Sequence, residues 1–388
     1  MKDKVSVKLS NIILVVLILF LTTFIVVFSI NYLESDKTVI KSGNEIKQSS
    51  KSIALMLETT LASGEYKVNN DSIWPSTGYK FNSTLSKCEN GSILTYDNVT
   101  KKVIVQSNKS DKCFVYFDKI PTFTETLIIN NGTIRMDHHT ASLANGANDG
   151  SYRFSGANPN NYVCFGPGST AAGQTCPEEN QYRIIGVFGD QVKLIKKTSV
   201  GNKVWNSSNV NTWAGSTLET YLNGEYLNSL TPTWSNKIAS NIWQVGGMTD
   251  ANGRLLLPIT SYTYEIGENN SNFTTNSKIG LIYVSDYGFA AKSQAWSLML
   301  GGDKNNVNDY SNPIAKANNW LFAGSVHSHE WTVSRILDTN NLVFVVISNG
   351  SVDNNYATSS FAVRPSFYLE TPIYLNGGNG TSIDPYRV

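Results

Sequence analysis

Four histidines and four cysteines, together with tryptophans concentrated in its second half, are the residues of this 388-residue chain whose chemistry could define a site. His327 and His329 stand two apart. In a strand both side chains face the same way, as metal-ligating pairs sometimes do, and Glu330 turns to the other face. The spacing supplies no third ligand, so the plainer reading is a solvated loop ahead of a strand at Trp331. Asp303, Asn305, Asn306, Asn308 and Asp309 crowd one loop after Gly301-Gly302. Oxygen-rich loops hold calcium, but EF-hand spacing requires a glycine at the sixth position, where Asn308 stands. The metal candidates are therefore Asp303, Asn305, Asp309, His327 and His329. No cofactor is expected, and calcium is the ion the oxygen-rich loop could hold. A serine nucleophile needs a histidine base and a positioned acid, and no Gly-x-Ser-x-Gly elbow occurs. Gly377 to Gly380 lies at the C-terminus with no helix after it, which does not make a phosphate cradle.

Aromatic side chains offer a different chemistry. Trp205, Trp213, Trp234, Trp243, Trp296, Trp320 and Trp331 all fall in the last part of the chain. Exposed aromatic faces stack on sugar rings and on peptide partners. Trp205 and Trp213 are flanked by Asn and Ser in a predicted loop, so they are the leading candidates for ligand binding, with Trp320 as a third. The opposing expectation for any one of them is a place in the core. Arg364, inside an apolar strand, reads as a member of a buried ion pair.

The cysteines fall as two local pairs, Cys88 with Cys113 and Cys164 with Cys176. Three connectivities are possible, and the local one is expected because each pair flanks one short segment. Paired cysteines in an exported chain read as disulfides. Each bridge contributes on the order of 3 kcal/mol in the chain-entropy account.

Export is argued by the N-terminus. No charge occurs from Leu9 to Leu33, and Ile12 to Ile30 is a run broken only by Thr22, Thr23 and Ser29. As a helix it spans roughly 28 Å, the thickness of a bilayer's hydrocarbon core. Lys2, Lys4 and Lys8 before it favour a cytoplasmic N-terminus. The sequence therefore predicts a single-pass anchor through residues 12–30 with the bulk of the chain extracellular. A cleaved signal peptide is the alternative, with a shorter apolar core as its mark. A net charge of +1 excludes the basic footprint of a nucleic-acid binder.

The elements that must position these residues divide the chain as follows. Residues 1–33 are the cytoplasmic tip and transmembrane anchor. Residues 34–63 read as a stalk helix, with Val39, Ile46 and Ile53 at heptad spacing and Ile53, Leu57 and Leu61 on one stripe. Residues 64–120 form a small disulfide-stapled β module, and 121–150 a connection with a short strand at Leu127–Ile129. Residues 151–388 read as one α+β domain. It contains a hairpin turning at Gly189-Asp190 and a helix capped by Ser216 with Glu219 three residues on. Strands follow over 279–284, 331–336, 342–347 and 362–369.

Asn161-Tyr162-Val163-Cys164-Phe165-Gly166, Tyr182-Arg183-Ile184-Ile185-Gly186-Val187-Phe188, Val363-Arg364-Pro365-Ser366-Phe367-Tyr368-Leu369 and Gly377-Gly378-Asn379-Gly380-Thr381 occur in that order. This set resembles a family of bacterial surface proteins built on a domain of unknown function. The resemblance covers roughly residues 150–388 and implies a C-type-lectin-like or formylglycine-enzyme-like architecture. The Glu-Pro-Asn and Trp-Asn-Asp tripeptides of calcium-dependent lectins are missing, so the fold would not bring lectin activity with it.

The sequence thus leads to an expectation of a membrane-anchored surface protein displaying a non-enzymatic domain that binds a glycan or a protein, in the manner of an adhesin. A cell-envelope hydrolase or transferase is the alternative. A pilus-like subunit is a minor third, because an apolar helix leads into a β domain but lacks the early acidic residue.

Overall fold

The strand Lys112–Lys119 alternates buried Cys113, Val115 and Phe117 with more exposed neighbours, the period of a half-buried strand. It is the spine of the first structural unit. In the computed structural model the described residues are 52–69, 75, 77–97, 100–106, 110–167, 174–250, 255, 257–266, 273–302, 308–324 and 328–388. The anchor and most of the stalk expected from the sequence lie outside them.

Ser52–Glu58, the far end of the expected stalk helix, is a strand. It runs parallel to Lys112–Lys119, with Ile53 opposite Cys113 and Leu55 opposite Val115. The Ile53-Leu57-Leu61 spacing fits a helix, but Ile53, Leu55 and Leu57 equally fit period 2, and the backbone partner decides between the two. Tyr66–Val68 flanks it on one side, and Tyr79–Phe81 and Lys87–Cys88 pair with the spine on the other. A hairpin of Ile93–Asp97 and Lys102–Gln106 closes the small core with Leu94, Tyr96 and Val103. Cys88 and Cys113 are directly opposite in the sheet and form a disulfide. The Glu58 carboxylate is buried and accepts from the Gly64 and Lys119 amides, tying the first strand's end to the last.

From Phe123 onward one continuous apolar core runs to Val388. Leu127–Ile129, read from sequence as a short strand, is the last part of a helix, Phe123–Ile129. Thr122 and Glu125 form a reciprocal capping box at its start, and Phe123 and Leu127 turn into the core. An eight-stranded sheet is built on the hairpin of Gln181–Phe188 and Gln191–Lys196, as the Gly189-Asp190 turn predicts. Tyr162–Cys164 pairs with the hairpin, and the C-terminal Tyr386–Arg387 runs parallel to Tyr162–Cys164. A five-stranded sheet centres on His329–Arg335 and Leu342–Ile347. Pro365, which cannot donate to a ladder, separates Ser360–Ala362 in this second sheet from Ser366–Tyr368 in the first. The Cys164–Cys176 disulfide forms as expected.

The α+β class predicted for the chain does not hold. The described residues are mostly strands and turns with a few short helices, and no helix among them is long and apolar enough to cross a membrane. The reason lies in the segments between strands, which are rich in Asn, Ser and Thr. These side chains bond the nearby backbone and draw it into turns instead of helices. Asn206, for example, donates to the Val210 carbonyl and accepts from the Ser208 amide. Ser216 caps Thr217–Tyr221 as expected. The chain continues through a π-helical turn at Leu222–Tyr226.

Candidate functional site

An ion network, buried at Asp286, Lys193 and Arg153, fixes the ground on which a concave surface feature stands. Asp286 lies in the short helix Val284–Phe289. One of its carboxylate oxygens accepts from Lys193 Nζ at 2.6 Å and from the Tyr283 amide at 3.0 Å. The other faces Arg153 at 3.4 Å, and Arg153 pairs in turn with Asp149 at 2.6 Å. Phe188, Phe289 and Tyr262 face the Arg153 guanidinium, and Tyr283, Trp243 and Tyr368 surround the Lys193 ammonium. Burial alone would lower the Lys193 pKa. Burial is the largest single influence, but the Asp286 charge, Tyr368 and the hydrogen bond to Asp286 together outweigh it and hold the amine above its ordinary range. Asp149 is pushed up by partial burial but pulled further down by Arg153 and Ser151, to about 2.

Beyond this helix the chain passes over an indole and opens a groove. Trp296 is buried, donates to the Ala291 carbonyl at 2.9 Å, and packs against Phe289 and His139. Two segments, 291–299 and 309–319, are joined by backbone bridges at both ends. Ala291 bridges Asn319 at one end, and Met299 bridges Asp309 at the other. Between these clamps a 3-10 turn, Ser293–Ser297, and a short helix, Pro313–Ala317, bow apart. Asn312 caps the helix by accepting from the Ile314 amide at 2.9 Å.

The resulting groove has a volume of about 330 Å³, at the small end of ligand sites. Ala295, Leu298, Ile314 and Ala315 make its apolar lining, and Lys292, Gln294, Asn312 and Asn318 its polar one. Ile314 is 75% exposed, although burying such a side chain is worth roughly 1.5–3 kcal/mol.

The residues singled out from sequence lie elsewhere. Trp205 and Trp213 are buried against each other, 5.2 Å between ring centroids, and Trp205 donates to the Thr332 carbonyl. Their Asn and Ser neighbours do not mark a wet loop. Asn211 is itself buried and donates to the Ile336, Thr339 and Leu342 carbonyls, so the polar residues serve enclosed backbone. Trp320 is also buried. It donates to the Phe154 carbonyl, and its ring is covered by the Arg183 guanidinium at 4.7 Å. None of the three is free to stack on a ligand.

His329 is half-buried and stacks on Phe361 at 4.5 Å, while His327, Asp303 and Asn305 lie outside the described residues. Asp309 is buried and accepts from the Ser311 amide and hydroxyl. Among the described residues no three His, Cys, Asp or Glu side chains are placed to hold a metal. Glu330 and Arg364 form the buried pair expected of Arg364, at 2.8 Å.

Two features escaped the sequence reading. Lys193, inside the apolar strand Gln191–Lys196, is the kind of residue that requires a buried partner, and it was a usable signal for the ion network. The groove left only faint signals, an Asn-Pro helix start at 312–313 and an isoleucine after it.

Residues 189–371, which include the groove, match the family described as "Domain of unknown function (DUF6273)". No curated protein and no solved structure matches the chain.

Proposed function

We propose that this chain is a membrane-anchored, outward-facing protein whose DUF6273 region binds a segment of a protein ligand in the groove between 291–299 and 309–319, without doing chemistry on it. One observation carries the reading. The groove is pre-formed, clamped at both ends by backbone, and presents an exposed Ile314 over an aliphatic floor. A site already shaped loses little ordering entropy on binding. Among the described residues its lining contains no aromatic ring, so these offer a sugar no stacking surface. Aliphatic floor and amide rim suit a polypeptide side chain and its flanking peptide groups. Two disulfides and the uncharged N-terminal run support display in an oxidising compartment.

The test uses the full-length protein in nanodiscs of neutral lipid, probed in parallel with a random peptide library and a glycan array. Saturable peptide binding is expected, reduced at least tenfold by Ile314→Glu, a loss of about 1.4 kcal/mol or more as an apolar contact is removed. The unfolding midpoint should hardly move, because the side chain is mostly solvated. Peptide binding that survives the substitution, or a saturable glycan hit with no peptide hit, would overturn this function.

A further inference from the structure

Resting on that reading, we infer that the segment the groove takes is acidic: an aliphatic side chain seated between Leu298 and Ile314, with an Asp or Glu beside it that meets Lys292. Lys292 stands at the end of the groove clamped by the Ala291–Asn319 bridge, and its amide donates to the Asn318 carbonyl at 3.0 Å. Its side chain is exposed, lines the groove, and has no carboxylate partner among the described residues. Among the described residues no acid lines the groove, and Lys292 is its one charged lining side chain.

The amides around it are not equivalent. The Asn312 oxygen is occupied by the Ile314 amide, and the Asn318 nitrogen donates to the Ile314 carbonyl at 2.8 Å. Gln294, exposed on the opposite wall, keeps both a donor and an acceptor for a crossing peptide backbone. With both ends of the groove closed by backbone, a chain crosses over it and drops one side chain in. A volume of about 330 Å³ holds one aliphatic side chain with its flanking peptide groups. An ammonium at the rim of an apolar recess selects against a basic neighbour and for an acidic one.

The experiment titrates three amidated, acetylated hexapeptide pools, carrying Leu-Glu, Leu-Gln or Leu-Lys at their centre, against the full-length protein in neutral nanodiscs by fluorescence polarisation. The Leu-Glu pool should bind about fivefold tighter than the Leu-Gln pool, the size of one exposed ion pair. That advantage should shrink at high salt and vanish in Lys292→Gln. In Lys292→Glu the order should invert, with Leu-Lys the tightest. Equal binding of the three pools, all abolished by Ile314→Glu, would leave the groove as a peptide site and overturn its acidic preference. No binding by any pool would overturn both.

Discussion

Replacing Asp286 with alanine is expected to cost about 3–5 kcal/mol of stability, the penalty for leaving buried cations without their partner. Lys193 is only 1% exposed and sits among rings of Tyr283, Trp243 and Tyr368, which cannot replace a carboxylate. Arg153 keeps Asp149 but loses its second acid. The Tyr283 amide loses its acceptor in the same step, so the helix Val284–Phe289 loses its start as well. The pair is expected to behave as a unit. Lys193→Met combined with Asp286→Ala should recover several kcal/mol relative to the sum of the single losses, because the double variant buries no uncompensated charge. Urea denaturation followed by tryptophan emission reads this well, since seven of the eight tryptophans lie beyond Gly189. Additive losses in the double variant, or a loss below about 1 kcal/mol for Asp286→Ala, would show that the network is not what holds this helix. The consequence reaches the groove. Ala291 and Lys292 follow the helix within three residues, and the clamp that closes the groove begins there.

What could be read before the fold was seen followed a physical rule about range. Features decided within a few residues were legible: the Gly189-Asp190 hairpin, the Ser216 cap and both local cysteine pairs. Each depends on turn chemistry or short loop closure. Features decided by a distant partner were misread. Ser52–Glu58 is a strand because Lys112–Lys119, some sixty residues away, offers it a parallel ladder. Leu127 and Phe123 make a helix because its apolar side meets the core, where three successive apolar residues had suggested a strand. Trp205 and Trp213 were misplaced for a related reason. Polar flanks usually mark solvent, but in a domain short of helices many carbonyls are enclosed outside regular ladders, and side chains such as Asn211 must serve them. The groove was least legible, since it exists only where two segments are clamped at both ends, and neither clamp has a sequence signature.

Stability between about pH 4.5 and 6.5 should be nearly flat, because two buried groups oppose each other there. Glu265 is buried. It accepts from the Val284 and Ser285 amides at 3.0 Å and from the Ser334 hydroxyl. Burial nevertheless pushes its carboxyl up to about 7, from an ordinary value of 4.5. The folded state then holds a proton that the unfolded chain has released, so stability falls as pH rises from about 4.5 to 7. The full loss is roughly 3 kcal/mol. His139 does the reverse. Its Nδ1 accepts from the Ala147 amide at 2.9 Å, and the ring is enclosed by Phe289 and Trp296. Burial, aided by the Arg153 charge, lowers it to about 3 from 6.5. The unfolded chain therefore takes up a proton that the folded state refuses, and stability falls as pH drops through 6.5. Where the windows overlap, slopes of about 1.4 kcal/mol per pH unit and opposite sign cancel. Single variants separate them. The difference between wild type and Glu265→Gln should shrink by roughly 3 kcal/mol in favour of the variant between pH 4.5 and 7, whatever its offset. The corresponding difference for His139→Gln should run the other way below pH 6.5. Two difference curves that stay parallel to the pH axis would mean that neither group titrates abnormally in the folded protein. One sloping curve with a flat partner would assign the burial cost to that group alone, and would predict a wild type whose stability tilts across the same window.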